Sequence, residues 1–240
     1  MPGYYDLHCH ILFGVDDGAQ TPEDSITMLQ LEYVCGVRTV YLTPHCRRNM
    51  FDCPPEQLRE HFLQLKKLAA ARFPDLELRL GCELYANMDL LQQLREERCL
   101  TMDGTGFVLL EFPLYAQKKY MIERCQALLH GGYSPIIAHA ERYRAIRRDP
   151  DLLQTLADMG VYIQMNAGSI IGKEGLLWKW FCKKAMERGL LHFVGSDAHD
   201  TDQRKPDLQK CALYLEKTMG AAYRDQIMIL NPQEILEGSV

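Results

Sequence analysis

Short apolar strands and amphipathic helices alternate along these 240 residues, and strand after strand ends in a side chain able to bind a metal ion. Tyr4 to Leu7 leads into His8 and His10, Arg38 to Thr43 into His45, and Leu76 to Cys82 into Glu83. Phe107 to Leu110 ends at Glu111, Pro135 to Ala138 at His139, Val161 to Met165 at Asn166, and His192 to Gly195 at Ser196-Asp197. The helices between them carry their own punctuation. Thr21-Pro22-Glu23-Asp24 reads as an N-cap, a proline at the first helical position and acids in the first turn. Gly36, Gly131, Gly160 and Gly189 sit where helices must stop. The pattern predicts helices near 22–35, 56–72, 89–98, 119–130, 151–159, 176–188 and 207–219, and again after Asn231-Pro232.

Repeated β-α units with apolar strands require a parallel sheet covered by helices. An open sheet gathers its site at one crevice, whereas a barrel brings the carboxyl end of every strand to one mouth. Metal-competent residues at so many successive strand ends select the barrel. The expectation is an α/β fold of about seven β-α units, a distorted seven-stranded TIM-like barrel formed by one domain over residues 1–240.

Composition narrows the function classes. Hydrophobic residues at 47% and charged residues at 25% are those of a globular protein with a sizeable core. A net charge of −5 leaves no basic surplus for phosphate backbones, which argues against a nucleic-acid partner. The nine cysteines form no C-x-x-C pair and read as reduced thiols of a cytoplasmic protein. No leader segment and no apolar run long enough to span a bilayer are seen, so the chain is not expected to be membrane-embedded.

On a strand, His8 and His10 share one face. A mouth lined by five histidines (His8, His10, His45, His139, His199), two glutamates (Glu83, Glu111) and aspartates needs cations, because clustered carboxylates repel. Mixed nitrogen and oxygen donors without thiolates suit manganese, iron(II) or zinc. The donors exceed what one ion needs, so two or three divalent ions are expected. Such clusters clamp phosphate oxygens and bring a bound water toward neutral pKa.

The motifs Asp6-x-His8-x-His10, Val15-Asp16-Asp17-Gly18, Thr43-Pro44-His45, Gly81-Cys82-Glu83 and Leu110-Glu111-Phe112 occur in this order. They are followed by Ala138-His139-Ala140-Glu141-Arg142 and Ser196-Asp197-Ala198-His199. Together they resemble the polymerase-and-histidinol-phosphatase (PHP) superfamily. Within it they are most similar to the bacterial manganese-dependent protein-tyrosine phosphatases of capsular and extracellular polysaccharide operons. The resemblance implies a PHP-type barrel with its metal cluster at the carboxyl mouth of the strands. It implies a first ion on His8, His10, Glu83 and Asp197, and a second on Glu83, Glu111 and His139. A third would lie on Asp17, His45 and His199, with Asp16 the adjacent alternative to Asp17. Arg142 and Arg204 match the arginines that hold the phosphate, and Asp197 and His199 are the candidates for proton transfer. The implied reaction is direct hydrolysis by a metal-activated hydroxide. The implied partner is a phosphotyrosine protein, the tail of a bacterial tyrosine kinase. The sequence leaves the oligomeric state open.

Two other functions fit the same ligands: a small-molecule phosphoesterase of histidinol-phosphatase type, and a non-catalytic metal-binding regulator of polysaccharide assembly. A cysteine-based phosphatase does not fit. The match Cys53…Arg59 contains two prolines, which remove loop donors, and Cys182…Arg188 falls inside a helix. His61, His130 and His192 are read as structural, and Cys9 as pointing away from the site. Arg47, Arg48 and Met50-Phe51 are candidates for a substrate rim, and Trp178, Trp180 and Phe181 for a packing patch or oligomer contact.

Overall fold

The computed structural model describes residues 3–52 and 54–237; Cys53, and with it the first Cys-x5-Arg match, lies outside the described residues. Nine strand segments follow in chain order: β1 (Tyr4–Cys9), β2 (Val37–Leu42), β3 (His45–Cys46), β4 (Glu77–Leu80), β5 (Glu83–Tyr85), β6 (Phe107–Glu111), β7 (Ser134–Ile137), β8 (Tyr162–Asn166) and β9 (Phe193–Gly195). The helices are α1 (Pro22–Val34), α2 (Pro55–Ala70), α3 (Leu90–Arg95), α4 (Lys118–His130), α5 (Arg144–Arg148), α6 (Asp151–Asp158), α7 (Ala167–Ile171), α8 (Leu176–Glu187), α9 (Leu208–Met219), α10 (Ala221–Asp225) and α11 (Asn231–Glu237).

All strand pairing is parallel, in the orders β1-β2-β4 and β3-β5-β6-β7-β8-β9. The two runs form one surface. Only Thr43-Pro44 separates β2 from β3, and only Gly81-Cys82 separates β4 from β5. Pairing continues across both gaps: the Gly81 N–H donates to the Leu42 carbonyl at 2.9 Å and the Glu83 N–H to the Pro44 carbonyl at 3.0 Å. At the far edge the Asp197 N–H donates to the His8 carbonyl at 2.8 Å and the His10 N–H to the Ala198 carbonyl at 2.9 Å. Nine segments with two continuous pairs make seven staves, joined into an irregular (β/α) barrel.

The strand expected over 76–82 breaks at Gly81-Cys82 because its neighbour breaks at Pro44, which has no N–H for the ladder. Gly81 is also crowded: a Cβ there would lie 2.9 Å from Met102 Sδ. The helix expected over 89–98 stops at Arg95, and Glu97 leaves the helical path with φ of 54°. Short helices α5, α7 and α10, and a π-helical turn at Gln226–Leu230, have no counterpart in the sequence reading. α1 starts as its sequence says. Thr21 accepts from the Asp24 N–H, and the Asp24 carboxylate accepts from the Thr21 N–H, which together make a capping box.

Strand alternation divides the core in two. Val108, Leu110, Ile137, Ile163 and Val194 face outward and pack under the helices. Leu7, Tyr41, Phe107, Leu109, Ile136 and Phe193 face inward and fill the barrel, closed from below by Ile229 and Ile235. The α11 residue Asn231 fixes this floor by donating to the His192 carbonyl at 2.8 Å. Among the described residues no helix is long and apolar enough to cross a membrane.

Candidate metal centre

The first strand carries a register shift. Asp6 pairs with Val40 and Cys9 with Leu42, so three steps of β1 face two of β2. That bulge re-aims His8. Leu7 fills the barrel and Cys9 sits in the outer layer, donating through Sγ to the Tyr41 carbonyl, yet His8 and His10 both point into the mouth. Asp6 stays outside and ties the two barrel edges together. It accepts from the Ser196 N–H at 2.9 Å and from Ser196 Oγ at 2.5 Å. His139 and Asp197, at the ends of their strands, take left-handed φ of 33° and 52°. Such backbone persists where surrounding contacts over-determine it, and it is concentrated at functional sites.

Every ligand named from the sequence reaches the same mouth, with Asp17 rather than the alternative Asp16 facing it. Four groups place one donor atom per residue within 4.8 Å of each other: His10, Asp17, His45 and His199; His8, His10 and Asp197; His8, Glu83 and His139; His45, Glu83 and Glu111. The grouping is more interwoven than three separate sites, because Glu83, His8, His10 and His45 each belong to two groups. Asp16 and Asp17 divide their work. Asp16 is turned back, accepting from His10 Nδ1 at 2.7 Å and from the His45 N–H at 2.9 Å. Asp17 faces the mouth, 3.6 Å from both His45 Nε2 and His199 Nε2.

The donors fit divalent cations. His8 Nε2 and His10 Nε2 point at one another across 3.2 Å, and both lie within 3.5 Å of Glu83 Oε2. Glu83 Oε2 lies 2.8 Å from His45 Nδ1 but out of line for a hydrogen bond, and it is buried with no partner. His199 Nε2 is likewise buried and unpartnered. Buried polar atoms normally find partners, so lone pairs left aimed at a common point mark a cation site.

The charges are tightly bound to one another. Burial opposes protonation of His8, but the charge of Glu83 outweighs it and raises the imidazole to about 9. His45 is raised to about 9 against the same burial cost, by its contact with Glu83. Burial lowers His199 to about 2, helped by the charge of His10. Burial would raise Asp197, yet His8 and Arg142 hold it well below the usual carboxylate range. Glu111 is pushed up by burial and by Glu83.

Arg142 Nη1 and Arg204 Nη2 grip Asp197 from one side at 2.8 and 3.0 Å. They border a cleft of about 280 Å³ that opens from the mouth between Asn166, Lys173 and Lys205. The sequence reading missed the residues that hold the ligands from behind. Gln164 contacts His8 Nδ1 at 3.2 Å, accepts from the His139 N–H at 2.7 Å and donates to Asn166. Asn166, at the end of the same strand, donates to Asp197 Oδ2 at 2.8 Å. Tyr143 Oη lies 3.3 Å from His139 Nδ1. The signal was present in Gln164 and Asn166, two polar residues two apart on an otherwise apolar strand.

The structural readings of the remaining histidines match their surroundings. His61 stacks on Phe13 with centroids 4.7 Å apart, and His192 Nδ1 accepts from the Ile163 N–H. On the rim, Phe51 stacks on His45 at 5.1 Å and Arg47 lies over the Tyr85 ring at 4.1 Å. Trp178 takes the Arg147 guanidinium at 4.2 Å, while Trp180 is exposed.

The family described as capsular polysaccharide synthesis, CpsB/CapC, matches residues 4–237. The tyrosine-protein phosphatase CpsB of Streptococcus pneumoniae is 34% identical over 236 residues, 96% of this chain and 97% of the relative. The tyrosine-protein phosphatase YwqE of Bacillus subtilis is 36% identical over 216 residues, 90% of this chain and 85% of the relative. A crystal structure from work on YwqE and the S. pneumoniae CpsB, described as unique metal-dependent tyrosine phosphatases, superposes with a TM-score of 0.92. It is 34% identical and covers 98% of this chain and 94% of the other.

Proposed function

As the chain belongs to the CpsB/CapC family of capsular polysaccharide synthesis, we propose that it is a metal-dependent protein-tyrosine phosphatase. One observation carries the reading: nine imidazole and carboxylate side chains converge on a single mouth beside two arginines. We assign His8, His10, Asp17, His45, Glu83, Glu111, His139, Asp197 and His199 as ligands of two or three divalent ions, manganese foremost. Glu83 belongs to two of the donor groups and would help hold an ion in each. When bound, the ions supply the positive charge that polarises a phosphoryl group and acidifies water.

The protein's own residues do the rest. Arg142 and Arg204 present planar guanidinium forks at the edge of the cleft and bind the phosphoryl oxygens, stabilising charge as the phosphorus–oxygen bond breaks. Burial disfavours protonation of His199, which leaves its imidazole free to serve as a ligand, and with Asp197 it is the candidate for proton transfer. Asp197, held ionised by His8 and Arg142 and hydrogen-bonded by Asn166, is kept as a carboxylate able to ligate an ion. The substrate is a phosphotyrosine protein, the tail of a bacterial tyrosine kinase, met in the cytoplasm; nucleic acid is no partner.

The test is hydrolysis of a phosphotyrosine peptide by chelator-stripped protein with and without added manganese, with histidinol phosphate in parallel. The expected result is manganese-dependent phosphate release from the peptide alone, abolished in a His139→Ala, Asp197→Ala double variant. Release from histidinol phosphate alone would overturn the protein-phosphatase reading, and metal binding without hydrolysis of either would make the chain a regulator.

A further inference from the structure

The strand pair that carries His45 and Glu83 into the mouth carries thiols on its other side. Cys46 follows His45 and Cys82 precedes Glu83, and the β3–β5 register sets His45 opposite Glu83. Alternation therefore turns both cysteines to the outer layer. Cys82 and Cys99 belong to that layer and Cys46 packs against it. The register sets Cys82 diagonally across from Cys46 on the same outer face, and Cys99 lies in the layer against which Cys46 packs. The three differ in access. Cys82 and Cys99 are buried, at 1% and 5% exposure, whereas Cys46 is half-buried. It forms part of the wall of a separate cleft of about 440 Å³, alongside Arg48, Asp52, Gln93 and Arg98. One reachable thiol with two sheltered thiols behind it is the arrangement of an oxidisable cysteine and its resolving partner.

We propose that Cys46 is a peroxide-sensitive modification site whose oxidised form is captured as a disulfide by Cys82 or Cys99. The steps balance. Hydrogen peroxide converts the Cys46 thiol to a sulfenic acid and is reduced to water. The neighbouring thiol then attacks that sulfur, forms the S–S bond and releases a second water. Two thiols supply the two electrons that the peroxide accepts. The disulfide reaches the metal centre through the backbone. Residues in paired strands and two positions out of register have Cα atoms about 7–8 Å apart, and a disulfide needs about 4.4–6.8 Å. Cys46 stands opposite Leu84, two residues beyond Cys82, so a Cys46–Cys82 bond slides β3 along β5 and moves His45 and Glu83. A Cys46–Cys99 bond instead pulls Cys46 toward the loop after α3 and turns the adjacent His45.

The chemical arm of the test does not depend on the phosphatase reading. Chelator-stripped protein is treated with hydrogen peroxide and mapped by mass spectrometry, with dimedone present in a parallel sample to trap sulfenic acid. The expected products are a disulfide containing Cys46 and a dimedone adduct on Cys46, both absent in Cys46→Ser. A disulfide that excludes Cys46, or unchanged thiols, overturns the proposal. The functional arm rests on the proposed activity. Peroxide lowers phosphotyrosine hydrolysis by about ten- to a hundredfold, the loss seen when support of metal ligands is disturbed, and dithiothreitol restores it. Cys46→Ser hydrolyses the peptide at the untreated rate and resists peroxide. Equal sensitivity of Cys46→Ser refutes the coupling, while a mapped disulfide on a protein that never hydrolyses the peptide leaves the modification standing and removes the phosphatase.

Discussion

The two ends of the barrel are built from the same strands by opposite rules. In β6, Phe107 and Leu109 lie fully buried in the floor, and Glu111, two residues on, stands at the mouth. In β1, Leu7 belongs to the floor and His8 to the mouth, with only a bulge between them. The floor is satisfied by its own contents: rings and branched chains removed from water, each worth about 1.5–3 kcal/mol. The mouth is not. It gathers buried imidazoles and carboxylates whose lone pairs face each other, and its arginines rest on the carboxylate of a candidate ligand. The floor provides the stability, and the mouth spends part of it on a geometry that only cations and a phosphoryl group complete.

The largest test of this division is at the floor. Phe193→Ala removes a fully buried ring from the inner cluster and should cost about 3–5 kcal/mol. Below its lowered melting temperature the variant should bind as much metal as the parent, as elemental analysis would report. A matching loss of metal would mean that the two ends are one cooperative unit. A smaller effect separates the mouth from its support. Asp16→Asn keeps the size of the group behind His10 and removes its charge, and should lower metal affinity by about 10–100-fold. Its effect on the melting temperature of stripped protein should be slight, and an unchanged affinity would return Asp16 to a purely structural role.

The smallest effect is the most diagnostic. In chelator-stripped protein, His8 and His45 are raised from 6.5 to about 9 by Glu83. The stability from these ion pairs is fully present below pH 6.5 and is lost as pH rises through about 9. His199, lowered to about 2, adds only a small opposite slope just above pH 6.5, where the unfolded imidazole still binds some protons. Stripped protein should therefore melt a few degrees lower at pH 9 than at pH 6.5 by calorimetry. Metal-loaded protein should show the opposite slope, because the ions compete with protons for the same nitrogens. Parallel slopes would show that metal and proton do not share these sites.

The barrel and its mouth were legible because both follow from periodicity. Apolar strands closed by glycine-stopped helices announce β-α units, and a polar residue at each strand end marks which end is open. The residues that hold the ligands in place were harder to see. Gln164 and Asn166 interrupt an apolar strand, which is a signal, but their targets His8, His139 and Asp197 come from other strands. The bulge that turns His8 inward leaves no trace in composition, since Asp6-Leu7-His8-Cys9-His10 alternates as well without it. The thiols beside His45 and Glu83 become a cluster only once β3 and β5 are in register and the loop bearing Cys99 has folded over them.

The hydrogen bond from the Asp197 N–H to the His8 carbonyl has a consequence for how the chain is made. The contacts between Asp6 and Ser196 beside it span 190 residues. Contacts that distant form late, after the entropy of closing the intervening chain has been overcome. The first strand must therefore wait, its two histidines without partners, until the ninth emerges and is laid against it. His8 and His10 lie on one lip of that seam, with Asp197 and His199 on the other. On the ligand assignment proposed above, ions held by both lips would act as a clasp that fastens only a finished barrel and slows its reopening.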